Sequence, residues 1–367
     1  MRRSGLILFL ALLTAPLLAL LVGVRPATLE NRAQLPWPAP SVEAIVSADY
    51  FARLDQVLVQ RLPLRQTAVD LRRWLWIDGF GEQRVDRVVL GEDDVLFLRP
   101  TLQTWCGWTN PAQSARRANE RLKQLLAEKP LLWVTVPDKF FVHGDRLPPA
   151  FEAWGRCAKA RRVLFAAAMT ETLEEQFIDL APALRAQARQ SQALAYYAAD
   201  THWTADSARL LPEAVFEAWL PGAWAGTPLV PTAEELALSD LALQLGLEQR
   251  HPILRWRAVR EGVESLGMER TERVRRQGVR RLRHQAAPGV PMVPGVTLVV
   301  HDSFLLPVSP ALAPFFEELV LVQWEDLNTA RFERLLAESD RVLFQSIERM
   351  TPQRHRRGVL GPTLPRD

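Results

Sequence analysis

Two short apolar runs, closed off by proline or glycine, constrain this chain more than any other feature. Residues 131–136 (LLWVTV) lie between Pro130 and Pro137, and residues 295–300 (GVTLVV) run into His301. Such runs read as strands buried on both faces, the habit of parallel sheets covered by helices. Residues 177–180 (FIDL) and 341–344 (RVLF) read as two more strands. Helical spacing fills residues 111–128, and residues 47–78 read as two amphipathic helices broken near Pro63. Residues 159–180 alternate a short apolar run (VLFAAAM), a helix-like stretch and the strand at 177–180. Residues 84–98 read as a hairpin, with Gly91-Glu92-Asp93-Asp94 as its turn. Strands separated by helical stretches give an α/β domain with a mostly parallel sheet.

Composition removes several alternatives. With 48% hydrophobic and 24% charged residues, the 367-residue chain can bury an ordinary core, so global disorder is excluded. A net charge of +3 does not mark a nucleic-acid binder. Two cysteines cannot build a disulfide-rich scaffold or a four-thiolate zinc site. No G-x-G-x-x-G, P-loop, H-E-x-x-H or C-x-x-C is present, which argues against dinucleotide, NTP and ordinary zinc enzymology.

The N-terminus supplies an address. After Arg2-Arg3, residues 5–24 carry no charge, and Arg25 ends the run. Twenty apolar residues suffice to span a bilayer, and the basic flank keeps the N-terminus cytoplasmic. A signal anchor over 5–24 is favoured over a cleaved peptide, because residues 20–24 (LLVGV) make a poor cleavage site. Either reading places the remainder outside the cytoplasm. Residues 26–40, with four prolines, read as a linker or an extended entry strand. In an oxidising compartment Cys106 and Cys157 read as one disulfide, with two free thiols as the alternative.

Two segments carry chemistry. In Asp200-Thr201-His202-Trp203-Thr204 the acid and the imidazole are two positions apart, so in an extended segment they point the same way. A carboxylate there holds one imidazole tautomer and stabilises the imidazolium. The bland alternative is a histidine packed under Trp203, and Thr204 reads as the cap of a helix starting near Ala205. The second segment is His301-Asp302-Ser303-Phe304, at the carboxyl end of a buried strand, where ligands gather in open α/β sheets. Ser303 there is a candidate nucleophile, and its own amide is a candidate oxyanion donor. The alternative is that Asp302 and Ser303 merely cap the next helix.

These residues resemble the alginate O-acetyltransferase proteins of the AlgX/AlgJ type, SGNH-hydrolase-like enzymes of the bacterial periplasm. Asp-x-His-Trp at 200–203 followed by Asp-Ser-Phe at 302–304 carries the resemblance. Glu30-Asn31-Arg32, the 88–98 hairpin, Val136-Pro137-Asp138-Lys139, Ser239-Asp240-Leu241 and Ile347-Glu348-Arg349 extend it over residues 29–350. The resemblance implies a three-layer domain over residues 41–350 with a mostly parallel central sheet; the residues themselves place before it a signal anchor or signal peptide (1–25) and a linker (26–40), and after it a basic flexible tail (351–367). It implies a permuted triad of Ser303 as nucleophile, His202 as base and Asp200 as its orienting carboxylate. No cofactor or metal is implied. The expected partners are a polysaccharide, a membrane-bound O-acyltransferase and other export and assembly proteins, with no nucleic acid, and the acetyl donor is expected to be a partner or another acyl donor. The family has glycine where His301 stands, so the imidazole is expected either to crowd the oxyanion region or to occupy the cleft. Asp94 also replaces a family glycine, and is expected to be tolerated.

Residues 270–283 (RTERVRRQGVRRLR) read either as a contact for an anionic polymer or as a solvated strand pair or helix face partly neutralised by Glu269 and Glu272. The leading functional expectation is O-acetylation of an extracytoplasmic glycan. An acetylesterase of the same fold and a non-catalytic glycan-binding subunit are the alternatives.

Overall fold

The computed structural model describes residues 2–24, 35–41, 43, 47–61, 63–126, 128–232, 235–271, 278–327 and 329–356. The motif at residues 30–32, Glu272 and the tail beyond residue 356 lie outside them. The chain divides into two compact units, residues 1–88 with 238–249 and residues 89–237 with 250–367.

The first unit contains α1 (Arg2–Leu21), α2 (Ala48–Arg61) and α3 (Arg65–Trp74). The break between α2 and α3 falls where Pro63 places it, with Leu64 in the left-handed region at φ 64°. Gln66 on α3 donates to Gly246 O at 2.8 Å and so holds the 238–249 segment within the same unit. The anchor expected over residues 5–24 is not supported. Among the described residues no helix is long and apolar enough to cross a membrane. The helix stops at Leu21, Gly23 turns away at φ 84°, and Pro16 interrupts the backbone ladder.

The second unit holds the predicted sheet. The strands that matter here are β1 (Val88–Leu90) and β2 (Leu96–Leu98) of a small sheet, then β3 (Leu131–Val136), β4 (Phe177–Asp179), β5 (Val263–Thr271), β6 (Val279–Ala286), β7 (Val293–His301), β8 (Phe316–Gln323) and β9 (Arg341–Ile347). The last seven form one sheet in the order β5-β6-β8-β7-β9-β3-β4. From β8 to β4 every neighbouring pair is parallel, and β5 and β6 extend it antiparallel. Alternation along the strands feeds two cores. Leu131, Trp133, Leu298, Val300, Val342 and Phe344 face one side. Leu132, Val134, Val136, Val299 and Leu343 face the other. Helices cover both faces: α5 (Pro111–Leu126), α7 (Glu152–Leu173) and α10 (Thr329–Ala337) on one, α8 (Ala181–Ser191) and α9 (Leu210–Trp219) on the other. Double coverage is why β3 and β7 read as uninterrupted apolar runs.

Three details depart from expectation. Residues 159–173 are not a separate apolar run but the body of α7. The strand β8 was not foreseen. The tail expected from residue 351 begins as a helix, α11 (Thr351–Arg356), with Arg354 buried. The turn between β1 and β2 does tolerate aspartate at the family's glycine position. Asp93 and Asp94 take φ of 52° and 59°, which short polar side chains accept better than most. Cys106, ending α4 (Arg99–Cys106), is joined to Cys157 on α7 with Cα atoms 5.3 Å apart.

Candidate active site

Ser303 sits at the carboxyl edge of the sheet, two residues beyond β7, on a single 3-10 turn (Ser303–Leu305). The side chain of Asp302 caps that turn by accepting from Phe304 N at 3.2 Å. The capping role foreseen for Asp302 is therefore real, and it coexists with an exposed serine. Asp302 is itself tied down from the neighbouring strand. Its Oδ2 accepts from Ile347 N at 2.7 Å, and its Oδ1 from Gln345 Nε2 at 3.0 Å. Gln345 Oε1 accepts in turn from Asp302 N at 3.0 Å. The guanidinium of Arg354 lies 3.4 Å from Oδ2, in burial that lowers its pKa. The residue preceding the serine is thus fixed by β9 and α11 together.

The second segment approaches from another direction. Residues 196–203 form a closed loop, in which Tyr196 bridges Trp203 and Tyr197 N donates to His202 O at 3.1 Å. Asp200 and His202 converge through this turn, not through the extended backbone expected from their spacing. Asp200 Oδ1 accepts both His202 N at 2.8 Å and His202 Nδ1 at 2.7 Å. Thr204 caps the helical turn at Ala205–Ala208, as its position predicts. The loop is pinned from below by Lys139, which follows β3. Its ammonium donates to Leu96 O and Ala198 O, both at 2.8 Å.

The two segments meet at His202 Nε2 and Ser303 Oγ, 2.9 Å apart. The three candidate residues therefore form one chain of hydrogen bonds, Ser303 to His202 to Asp200. Its burial is graded: Asp200 is buried, His202 half-buried and Ser303 exposed. Phe304 forms the floor, with its ring 4.9 Å from that of His202 and nearly parallel to it. Arg349 lies over the same Phe304 ring at 5.2 Å and donates to Thr201 Oγ1 at 3.2 Å and Asp138 Oδ2 at 3.4 Å. His251 stacks on Tyr197 at 4.1 Å and stands 3.9 Å from Asp200 Oδ2.

His301 takes neither place expected of it. It is 1% exposed, and its Nδ1 lies 2.8 Å from Asp302 O. Burial lowers its pKa to about 4, so at neutral pH it is uncharged. Its backbone is ordinary strand, in register with Gln323, so the position makes no demand for glycine.

Sequence reasoning missed Gln345, Arg354 and the roles of Lys139 and Arg349. The strand-end motifs at 136–139 and 347–349 were visible, but nothing local shows which segment they reach. The basic stretch is resolved in part toward the solvated strand pair. Arg281 pairs with Glu318 at 2.8 Å and also with Glu338, and Arg283 with Glu318 at 3.0 Å.

Residues 88–235 match the family described as SGNH hydrolase-like domain, acetyltransferase AlgX. The resemblance read from the sequence is borne out over that segment, which contains Asp200 and His202 and ends before Ser303. None of the curated proteins matches the chain. Among solved structures, PatB1 of Bacillus cereus with a sulfonyl adduct is 14% identical, with a TM-score of 0.51, over 72% of this chain and 97% of that one. AlgX of Pseudomonas aeruginosa is 15% identical, with a TM-score of 0.45, over 74% of this chain and 66% of that one. The likeness to PatB1 shows the fold.

Proposed function

We propose that this chain is a serine-dependent O-acetyltransferase that acetylates hydroxyl groups of a polysaccharide outside the cytoplasm. The observation that carries the reading is the 2.9 Å and 2.7 Å relay from Ser303 through His202 to Asp200. The match of residues 88–235 to the AlgX-type acetyltransferase domain supports the same reaction class.

In this reading the steps follow the relay. Ser303 Oγ attacks the acetyl carbonyl of the donor and gives its proton to His202 Nε2. Asp200, accepting from Nδ1, holds the imidazole in the tautomer whose Nε2 is free to accept, and stabilises the imidazolium. The leaving group departs with the proton from His202, and the acetyl group stays on Ser303 as an ester. A sugar hydroxyl then gives its proton to His202 and attacks the ester, and Ser303 recovers a proton from His202. The Ser303 amide opens the 3-10 turn, so no intrahelical acceptor claims it, and it is the first donor for the oxyanion. No cofactor or metal enters these steps. The acetyl donor is supplied by a partner, for which a membrane-bound O-acyltransferase has the right chemistry.

Export fits two features: the basic flank and apolar start of the chain, and the disulfide between Cys106 and Cys157, which persists in oxidising compartments. Acetyl hydrolysis is the second reading, because an exposed Ser303 also admits water to the ester. The test measures acetyl release from a chromogenic acetate ester, with and without oligosaccharide acceptors, by the full chain and by Ser303→Ala. Acetylated oligosaccharide made by wild type alone supports transfer. Release that never partitions to sugar supports the esterase. Equal release by Ser303→Ala removes the serine mechanism.

A further inference from the structure

The relay accounts for one oxygen of Asp200. Oδ1 accepts from His202 N and from His202 Nδ1. Oδ2 faces a second imidazole, with His251 Nδ1 at 3.9 Å. His251 lies on the strand Arg250–Ile253, far in sequence from the loop at residues 196–203. Its side chain is 11% exposed and that of Asp200 is 3% exposed. The distance exceeds a direct hydrogen bond, so the coupling is electrostatic, in a buried setting that screens charge far less than water does.

The strand and the loop grip each other through neighbouring residues. The His251 ring packs on that of Tyr197, with centroids 4.1 Å apart and planes inclined by 31°. Tyr197 Oη reaches back to the strand and donates to Pro252 O at 2.7 Å. The backbone of the loop is held from elsewhere, by α6 (Lys139–His143). The Lys139 ammonium donates to Ala198 O at 2.8 Å, and Ala195 N donates to His143 Nε2 at 3.0 Å. Burial lowers the pKa of His143 to about 4, so it stays a neutral acceptor. These contacts fix the main chain on either side of Tyr196 and Tyr197, whereas His251 meets the carboxylate itself. An aspartate carboxylate turns easily about its terminal torsion, which has broad wells. A partner facing Oδ2 restricts that rotation, and so keeps Oδ1 in line with His202 Nδ1.

We propose that His251 is a positioning residue for the acyl transfer, whose Nδ1–H holds the plane of the Asp200 carboxylate while the His202 imidazolium forms. It acts through Asp200 and not on the substrate. Its part in turnover rests on the acyl-serine reading, and its hold on Asp200 rests on the geometry alone.

The experiment uses the full chain. His251→Phe keeps a ring against Tyr197 but has no N–H, and His251→Asn places an amide near the position of Nδ1. Thermal melting confirms folding, and His251→Leu replaces the Phe variant if that one does not fold. Turnover of a chromogenic acetate ester gives kcat and KM. The ring-nitrogen NMR shifts of His202, assigned by their absence from His202→Gln, report which nitrogen carries the proton. They are recorded both in the native background and with Ser303→Ala. The expected result is a proton on Nδ1 of His202 in the wild type and a mixed tautomer in His251→Phe. His251→Phe should also lower kcat about 10-fold, the low end for a donor facing a charge, with KM near that of the wild type. His251→Asn should recover most of both. Equal losses in the Asn and Phe variants, a change confined to KM, or His202 shifts unmoved in a folded His251→Phe each overturn the proposal, as does a wild type whose His202 carries no proton on Nδ1. Ester release that Ser303→Ala leaves intact contradicts the acyl-serine reading instead, and the His202 shifts then still decide whether His251 holds Asp200.

Discussion

Replacing Asp302 by alanine tests how the nucleophile is held. The side chain is 7% exposed and accepts from Phe304 N, Ile347 N and Gln345 Nε2, with Arg354 at 3.4 Å. Removing it strands two backbone donors, one amide and one buried cation together. Breaking a buried ion pair from one side costs about 3–5 kcal/mol, and each stranded buried donor about 1–3 kcal/mol. These contributions overlap, because Arg354 and the Gln345 amide can partly re-pair, so the expected loss is about 4–6 kcal/mol. For a unit of this size that corresponds to a fall in Tm of roughly 8–20 °C. Asp302→Asn keeps the shape and one acceptor and should lose about half as much. The activity of each variant should fall further than its folded fraction accounts for, because the Ser303 turn loses its cap. Denaturant and thermal melts beside acetyl-ester turnover make the comparison. A Tm within 2–3 °C of wild type, roughly 1 kcal/mol, would refute the claim that Asp302 anchors the turn.

The other predictions concern separate parts of the molecule. The Cys106–Cys157 bridge closes a 51-residue separation, so Cys106→Ser should lower stability by about 4 kcal/mol, and denatured, non-reduced protein should show no reactive thiol; two reactive thiols would contradict the bridge. His301 has a folded pKa near 4, against about 6.5 when unfolded, so its contribution is fully present above pH 6.5 and is lost as pH falls toward 4. Melts across pH 4–7 should show that loss, up to about 3 kcal/mol, on top of a similar one from buried His143, and His301→Gln should reduce the slope by His301's share; an unchanged slope in that variant would contradict the burial of a neutral imidazole. Arg349→Met should lower kcat more than it raises KM, because it removes the donor that Arg349 supplies to Thr201 Oγ1, between Asp200 and His202; a change confined to KM would instead make Arg349 a substrate contact.

The site was more legible in the sequence than the sheet around it. β3, β7 and β9 announce themselves because they are covered on both faces. β8 does not, since Glu317 and Glu318 interrupt its apolar run before it enters the core. Glu318 stands there to meet Arg281 and Arg283 from β6, a pairing that only the fold creates. The continuity of α7 was hidden because residues 163–169 are apolar on every side, which removes the amphipathic period. Arg354 belongs to a run of basic residues that looks like a solvated tail, and only the depth of Asp302 draws it inside. Asp200, His202 and Ser303 were readable because their types and order carry chemistry. The turn that joins Asp200 to His202, and the burial of His301, depend on contacts distant in sequence.

The most direct test of the central claim is to trap the covalent intermediate. Wild-type protein is mixed with an activated acetyl ester, quenched in acid at short times, digested and analysed by mass spectrometry. The account predicts an acetyl group on Ser303 that appears before steady state, decays when acceptor sugar is added, and is absent from Ser303→Ala. Full turnover with no acetyl group on Ser303 at any time, or with the group on another residue, would contradict it.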